Sequence, residues 1–544
     1  FFLSFVEEIL PLDIMSDKRL RVSFRYSETT GPEEAGDDDD PSDIMPRDRV
    51  RARPSMIGLL RKMSKRWRGG RDKVSYTSRY HKLPRRIDKD YKVHQTLLGC
   101  GVSGSVCAAS ARSAASCCSC FEQLRQDRYQ SFAVKTLSLL DVPLDQRELL
   151  TSELQVFLTM DHPHVVRLFD IYESETTLHL VMERLRGGDV FDRLCDCEDF
   201  GETVAARTMW QMLIALNYLH DLNIVHKDIK PNNFLYEDDS NDHLKLIDFG
   251  FSKLLLGSDA KKQKICGTGP YLAPELMFSE CTTKCDMWSL GVTSYLLQCG
   301  SLPFSGNTDV ELASSILSGE YSMCSFTWDT ISEAGKDFTR SLLQTDPAKR
   351  LSASEAMRHP WMKKRDSAPL QRKISSSMVS GLQRFSRTAR FKRCCFAMVA
   401  QTMSGEDYKR ARDAFAQVDT DNSGRVSLTE LRRVLADRFD VQEEEIVEIF
   451  NALAHQDDQT IHYSDFLAAT VAARQDLDDE SLRAAFNRFD IDGTGYIKEE
   501  DVARVLGETD VKNLLEDVNL NRSSRLSYSE FLEYLRPSAD SPSR

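Results

Sequence analysis

The sequence predicts an α+β domain, strand-rich first and helical after, followed by an all-α module. Three observations support this. Strand-like segments dominate from Tyr91 to about Met182, and helical periodicity takes over after about Val190. A glycine-rich turn, Gly99 to Gly104, lies between two strand-like stretches. From residue 406 onward, helical pieces alternate with loops rich in Asp, Asn, Gly and Ser at intervals of about 35 residues, which reads as an internal repeat.

A chain of 544 residues has room for about three domains. Its 41% hydrophobic and 28% charged content is ordinary globular usage and excludes collagen-like, coiled-coil and wholly disordered classes. No run reaches the roughly 18 apolar residues that a membrane-spanning helix needs. The opening Phe1-Phe-Leu-Ser-Phe-Val meets Glu7 and Glu8 too early for the apolar core of a signal peptide, and no initiator Met precedes it. The 14 cysteines form no regular framework, so reduced thiols in the cytoplasm are expected. Cys117 and Cys120 have zinc-ligand spacing, but no second Cys/His pair stands at matching spacing.

Five regions follow from composition. Residues 1–90 read as a poorly ordered extension with an Asp37–Asp40 run, then a basic stretch through Arg61, Lys62, Lys65, Arg66, Arg68 and Arg71. That stretch reads foremost as a solvated arm, with contact to an anionic lipid surface as the alternative. Residues 91–361 form the α+β domain, 362–405 a basic junction, 406–536 four helical units in two pairs (406–471 and 472–536), and 537–544 a tail. The net charge of −13 is unevenly spread. Residues 363–393 carry +9 and residues 406–536 carry −14, so the junction and the module are expected to contact each other. Nucleic acid is not an expected partner.

The turn Gly99, Cys100, Gly101, Val102, Ser103, Gly104, Ser105, Val106 lets backbone N–H groups approach a polyphosphate without Cβ clashes. A dinucleotide-binding turn would open a helix at its third glycine, whereas here a strand follows. An ordered series lies downstream: Lys135 in Ala133-Val-Lys, Glu153 in a helical stretch, His226-Lys-Asp228-Ile-Lys230-Pro-Asn-Asn233, Asp248-Phe-Gly250, and Ala273-Pro-Glu275. With it, the span 91–361 resembles the protein kinase family. The resemblance implies a small β-rich lobe over a larger helical one, with ATP and Mg²⁺ between them.

It also implies roles. Lys135, paired with Glu153, would hold the α/β-phosphates; Asp248 and Asn233 would hold Mg²⁺; Asp228 would accept the proton of the substrate hydroxyl. Lys230 would meet the γ-phosphate, and Asp-Ile-Lys-Pro is similar to serine/threonine rather than tyrosine kinases. The hinge would be Met182 to Leu185, with Glu183 and Leu185 beside adenine and Asp189 near the ribose. Glu275 and Arg350 match a buried structural ion pair. Lys227 replaces a common Arg, and the loop from Phe251 to Gly267 is short, so activation by loop phosphorylation looks unnecessary. Asn232 stands where many such kinases that prefer basic substrates carry Glu. The Ala/Ser/Cys-rich insert 108–128 is expected to be a loose hairpin tip.

A calcium loop places oxygen ligands at positions 1, 3, 5, 7, 9 and 12, with Gly at 6. Asp419, Asp421, Ser423, Gly424, Arg425 (through its backbone), Ser427 and Glu430 fill that template. Asp490, Asp492, Thr494, Gly495, Tyr496 and Asp501 fill it with the shorter Asp in last place, which could admit Mg²⁺. Residues 454–465 keep Ile461 but have Ala454 first and Gln459 for Gly, a unit expected to have lost calcium. Asn519, Asn521, Ser523, Arg525 and Glu530 keep the last acid alone, so binding there should be weak or silent. Four registers at near-regular spacing are similar to EF-hands. In 374–400, Met378, Leu382, Phe385, Phe391, Phe396 and Val399 interleave with bases, the composition of a calmodulin-target helix. Kinase, basic junction and four EF-hand units together resemble the calcium-dependent protein kinases of plants and protists. The resemblance implies Ser/Thr protein substrates and a junction that inhibits until Ca²⁺ binds. A calcium-regulated pseudokinase scaffold is the alternative.

Overall fold

A computed structural model describes residues 79–536, apart from short breaks and five longer ones at 113–130, 141–153, 255–268, 366–373 and 512–524. The first lobe is a six-stranded sheet ordered β1 (Tyr80–Lys82), β5 (Leu168–Glu173), β6 (Thr177–Glu183), β4 (Ser131–Ser138), β3 (Gly104–Ala111), β2 (Tyr91–Gly101). All pairs are antiparallel except β1 with β5. Alternation along β4 sends Phe132 and Val134 into one apolar cluster with Tyr91, Phe169 and Val181. It turns Lys135 to the opposite side.

Two expected boundaries are corrected. The lobe starts before residue 91: β1 pairs with β5, and His81 Nε2 lies 2.9 Å from Asp170 Oδ1. Tyr-His-Lys is too short and polar to announce a strand, and only its tertiary partners make it one. Likewise Ala108 to Ala111 are part of β3 and paired in register with β2 or β4, with Ala108 and Ala109 buried, so the insert begins after the strand. Residues 113–128 lie outside the described residues.

The second lobe is built on α2 (Glu202–Asp221) and α3 (Lys284–Cys299), preceded by the short α1 (Val190–Asp196). Apolar residues surround α3 on all sides, the pattern of a helix that runs through a core, and it is buried along nearly its whole length. Arg350 joins Glu275 through two hydrogen bonds, at 2.7 and 3.1 Å, the ion pair expected from the sequence.

The junction forms two helices, α4 (Ser376–Ser386) and α5 (Arg390–Thr402), and their apolar residues belong to the core of the helical module. Leu382, Phe385, Phe391 and Phe396 are buried there beside Phe415, Phe450, Phe466 and Phe489. Basic groups sit at the rim: Arg387 pairs with Glu445 at 2.7 Å, and Arg384 donates to the Ala472 carbonyl. In the module, short strands join the loops in pairs, β11 (Arg425–Val426) with β12 (Ile461–His462), and β13 (Tyr496–Lys498) with β14 (Arg525–Ser527).

The module docks on the α+β domain through polar contacts. Lys409 meets Asp238 at 2.6 Å, Arg412 meets Glu237, Ser464 donates to Asp161, and Arg488 meets Asp170 at 3.3 Å. Gly424 is pressed against His162. A Cβ there would come within 2.2 Å of the ring, and φ is +77°, so only glycine fits.

Beneath this dock lie three imidazoles, His162 buried and His164 and His243 half-buried. Burial drives all three below the ordinary histidine value, His164 to about 4. Below pH 6.5 the unfolded chain therefore binds protons that the folded one refuses, and stability falls as pH drops from about 6.5 toward 4. For His164 alone the loss is on the order of 3 kcal/mol across that window. Urea denaturation of the whole chain is expected to need less denaturant at pH 5 than at pH 7, and His164→Gln should narrow the difference.

Candidate active site and calcium loops

Lys135 sits in register between Val106 of β3 and Leu180 of β6, which carries it to the cleft. Its Nζ lies 3.0 Å from Asp248 Oδ1. The turn above it keeps its backbone pairing, Cys100 with Ser105 and Gly101 with Gly104. Gly104 is required: its φ is +139°, and a Cβ would lie 2.3 Å from the Thr136 carbonyl. Val102, Ser103 and Glu153 lie outside the described residues, as does most of the Phe251–Gly267 loop.

The catalytic segment leaves β7 (Ile224–Val225) and ends in a single turn at Pro231–Asn233. Asp228 is buried, with Lys230 Nζ 2.8 Å from Oδ2 and Asn233 Nδ2 2.9 Å from the same oxygen. Asn233 Nδ2 also donates to the Asp228 carbonyl at 2.7 Å, which leaves the amide oxygen as the end suited to a metal. Two residues here have left-handed backbones without being glycine, Lys227 at φ 70° and Asp248 at φ 60°. Such conformations persist only where the surroundings hold them. At Lys227 the holder is Asp286, an acid the sequence reading missed. Its carboxylate accepts from His220 Nε2 at 3.0 Å, His226 N at 2.9 Å and Lys227 N at 2.8 Å. Burial would raise its pKa, but these donors and the neighbouring imidazoles hold it below the usual carboxylate range. The signal was an acid inside the apolar run of α3.

The hinge residues divide their duties. The Glu183 carboxylate is committed to Lys245 Nζ at 2.7 and 2.8 Å and to Arg167 N at 2.7 Å, so adenine is left to the backbone. Leu185 packs against the large core. Asp189 caps α1 through Asp192 N and accepts from Asn232 Nδ2 at 3.0 Å.

In the first calcium loop, one oxygen each of Asp419, Asp421 and Glu430 converge within 4.8 Å. Asp419 accepts from the Ser423 and Gly424 N–H groups, and Glu430 Oε1 from Thr420 N, so the ring is already drawn closed. Burial, then Asp421, pushes the Asp419 carboxyl up to about 8, a repulsion that a divalent cation relieves. The donor set fits Ca²⁺. The third loop is arranged differently. Asp490 accepts from Thr494 N and Gly495 N, but Lys498 Nζ reaches Asp492 Oδ2 at 2.5 Å and holds that acid near pKa 2. Asp501 is buried and accepts from Lys498 N, and Tyr496 is exposed. In the fourth loop Arg525 lies on β14 and Glu530 accepts from Ser527, while Asn519, Asn521 and Ser523 lie outside the described residues.

This cleft and these loops define a class: a protein kinase that carries its own EF-hand module. Comparison with known proteins agrees. A protein kinase domain matches residues 114–362, and EF-hand domain pairs match 408–471 and 479–536. The chain is 33% identical over 388 residues to calcium-dependent protein kinase 34 of Arabidopsis thaliana, covering 70% of this chain and 74% of that protein. It is 31% identical over 402 residues to calcium-dependent protein kinase 3 of Plasmodium berghei, covering 71% and 72%. Against calcium-dependent protein kinase 11 of Oryza sativa subsp. japonica the identity is 32% over 385 residues, 69% of this chain and 66% of that protein. The chain belongs to the calcium-dependent protein kinase family, and its activity is that of a calcium-regulated serine/threonine kinase using ATP, Mg²⁺ and Ca²⁺.

Two outcomes are expected. Asp228→Asn should lower kcat by roughly 10²–10⁴-fold with the fold retained, since it removes the proton acceptor and the ion pair with Lys230 but no packing. Among Glu430→Gln, Asp501→Asn and Glu530→Gln, the first should raise the calcium needed for activation most, by about tenfold or more, and the last least. Calcium titrations of kinase activity would rank them, and a largest effect at Glu530 would reverse the assignment of the loops.

Proposed function

We propose that the chain phosphorylates serine and threonine hydroxyls of proteins when calcium rises, and that the basic junction is its switch. ATP with its Mg²⁺ supplies the transferable phosphoryl group and neutralises charge on the phosphate oxygens. Asp228 receives the hydroxyl proton and aims the oxygen, and Lys230 beside it offsets negative charge where the phosphoryl group arrives. Lys135 is poised for the phosphates; Asp248 and Asn233 would hold the metals.

The observation that supports the switch is where the junction packs. The apolar faces of α4 and α5 are buried in the EF-hand core, so junction residues gathered there are withdrawn from the substrate cleft. The docked module then grips the back of the hinge. Arg167 donates to the carbonyls of Gln401 and Met403 at 2.9 and 3.0 Å, while its own N–H is held by Glu183. Calcium shifts the balance only by binding better to the module that holds the junction than to the one that does not. A cytoplasmic setting is part of this proposal and fits cysteines scattered without a framework.

Chain ending at Arg365, whose guanidinium stacks on Trp210, keeps the kinase core and loses the switch. Transfer of ³²P to a basic protein substrate should respond to EGTA in the full chain and not in the truncated one. Retained calcium dependence after truncation would put the switch inside the kinase domain.

A further inference from the structure

We propose that the second loop of the EF-hand module, residues 454–465, is a zinc site. Its calcium chemistry is gone, with Ala454 at the first ligand position and Gln459 in place of glycine. Its shape is retained. Gln459 takes the left-handed turn at φ 52° despite its side chain, the loop closes through His455 N to Thr460 O at 2.9 Å and Gln459 N to His455 O at 3.0 Å, and Ile461 is buried. A loop of calcium-binding shape therefore holds a different donor set.

That set is His455, His462 and Asp465, at positions 2, 9 and 12 of the loop. One donor atom of each lies within 4.8 Å of the other two. His455 Nε2 is 2.8 Å from Asp465 Oδ2, and the two imidazoles stack at 3.9 Å with 14° between their planes, so one ring has to turn about its Cβ–Cγ bond for both in-plane lone pairs to face a single ion. Among the described residues, three such side chains converge in only one other place, the first calcium loop, so the geometry is selective. Imidazole nitrogen is a poor ligand for Ca²⁺ and a good one for Zn²⁺, and two histidines with one carboxylate form a three-ligand site with a fourth position for water. Asp458 supplies the outer carboxylate: its Oδ2 is 2.8 Å from His462 Nε2 and also meets Arg425 at 2.9 Å.

The site is wired to the calcium loop beside it. His462 pairs with Arg425 across β11 and β12, and Arg425 contributes the backbone oxygen of the first loop. An ion fixing His462 would stiffen that strand pair and lower the calcium concentration needed at Asp419 and Glu430.

The test uses the full chain stripped of metal. Zinc is titrated in competition with a chromophoric chelator, and amide exchange is followed with and without one equivalent. The expected result is one equivalent whose affinity falls at least about tenfold in each of His455→Asn, His462→Asn and Asp465→Asn. Cobalt in its place should give visible ligand-field bands without the near-ultraviolet thiolate absorption that cysteine ligands produce. In the unsubstituted chain zinc should slow exchange across 454–465, a readout that survives if a variant misfolds. Zinc binding equal in all three variants, or no protection of 454–465, would show that these side chains are merely two His–Asp hydrogen-bonded pairs and would overturn the proposal.

Discussion

The molecule turns on a buried group of charges behind the hinge. Lys245 is fully buried, its ammonium held by both Glu183 oxygens and, at 3.1 Å, by the Tyr408 hydroxyl. Arg167 lies 4.5 Å from the centre of the Tyr408 ring and donates to the last carbonyls of the junction. Burial alone would lower the Lys245 pKa, but Glu183 and Tyr408 hold it above the ordinary lysine value. One cluster thereby joins the strand that enters the hinge, the strand that leads to Asp248, and the first helix of the EF-hand module. Removing one partner of such a group costs about 3–5 kcal/mol, because the remaining charge stays buried. The geometry of the nucleotide cleft and the position of the module are in this way coupled.

A second constraint acts on the catalytic loop. Phosphoryl transfer asks little covalent chemistry of the protein and much positioning. Asp286 meets that demand from inside α3, fixing two backbone N–H groups and one imidazole, and so stabilises the left-handed turn at Lys227 that presents Asp228. The second lobe thus supplies order to the catalytic loop. Gly424 lies at the meeting point of the kinase domain and the module, a calcium-loop residue in contact with a kinase histidine.

The two EF-hand pairs are not equivalent. In the first, Asp419, Asp421 and Glu430 converge; in the third loop, Lys498 already neutralises Asp492. A cation bound there has to displace that internal ammonium. The first pair touches the kinase domain through Asp161 and His162, and the second through Arg488 and Asp170.

Much of this was legible without coordinates. Residues that bind phosphates or ions do so through residue types and short spacings, so Lys135, Asp228, Asn233, Asp248 and the Asp419–Glu430 loop could be named from order alone. The calmodulin-target composition of 374–400 was equally readable, because an apolar face interleaved with bases is a local pattern. Contacts between distant segments leave no such trace. That Tyr80–Lys82 is a strand, that Glu183 turns to Lys245, that Asp286 anchors Lys227, that Lys498 reaches Asp492, and that His455 meets His462 and Asp465 all depend on which surfaces pack together. The sequence by itself determined the chemistry and the order of the modules, because both are carried by side-chain identity and local spacing. Only the tertiary structure decided how those groups are held and coupled, because burial and pairing across the chain are properties of packing.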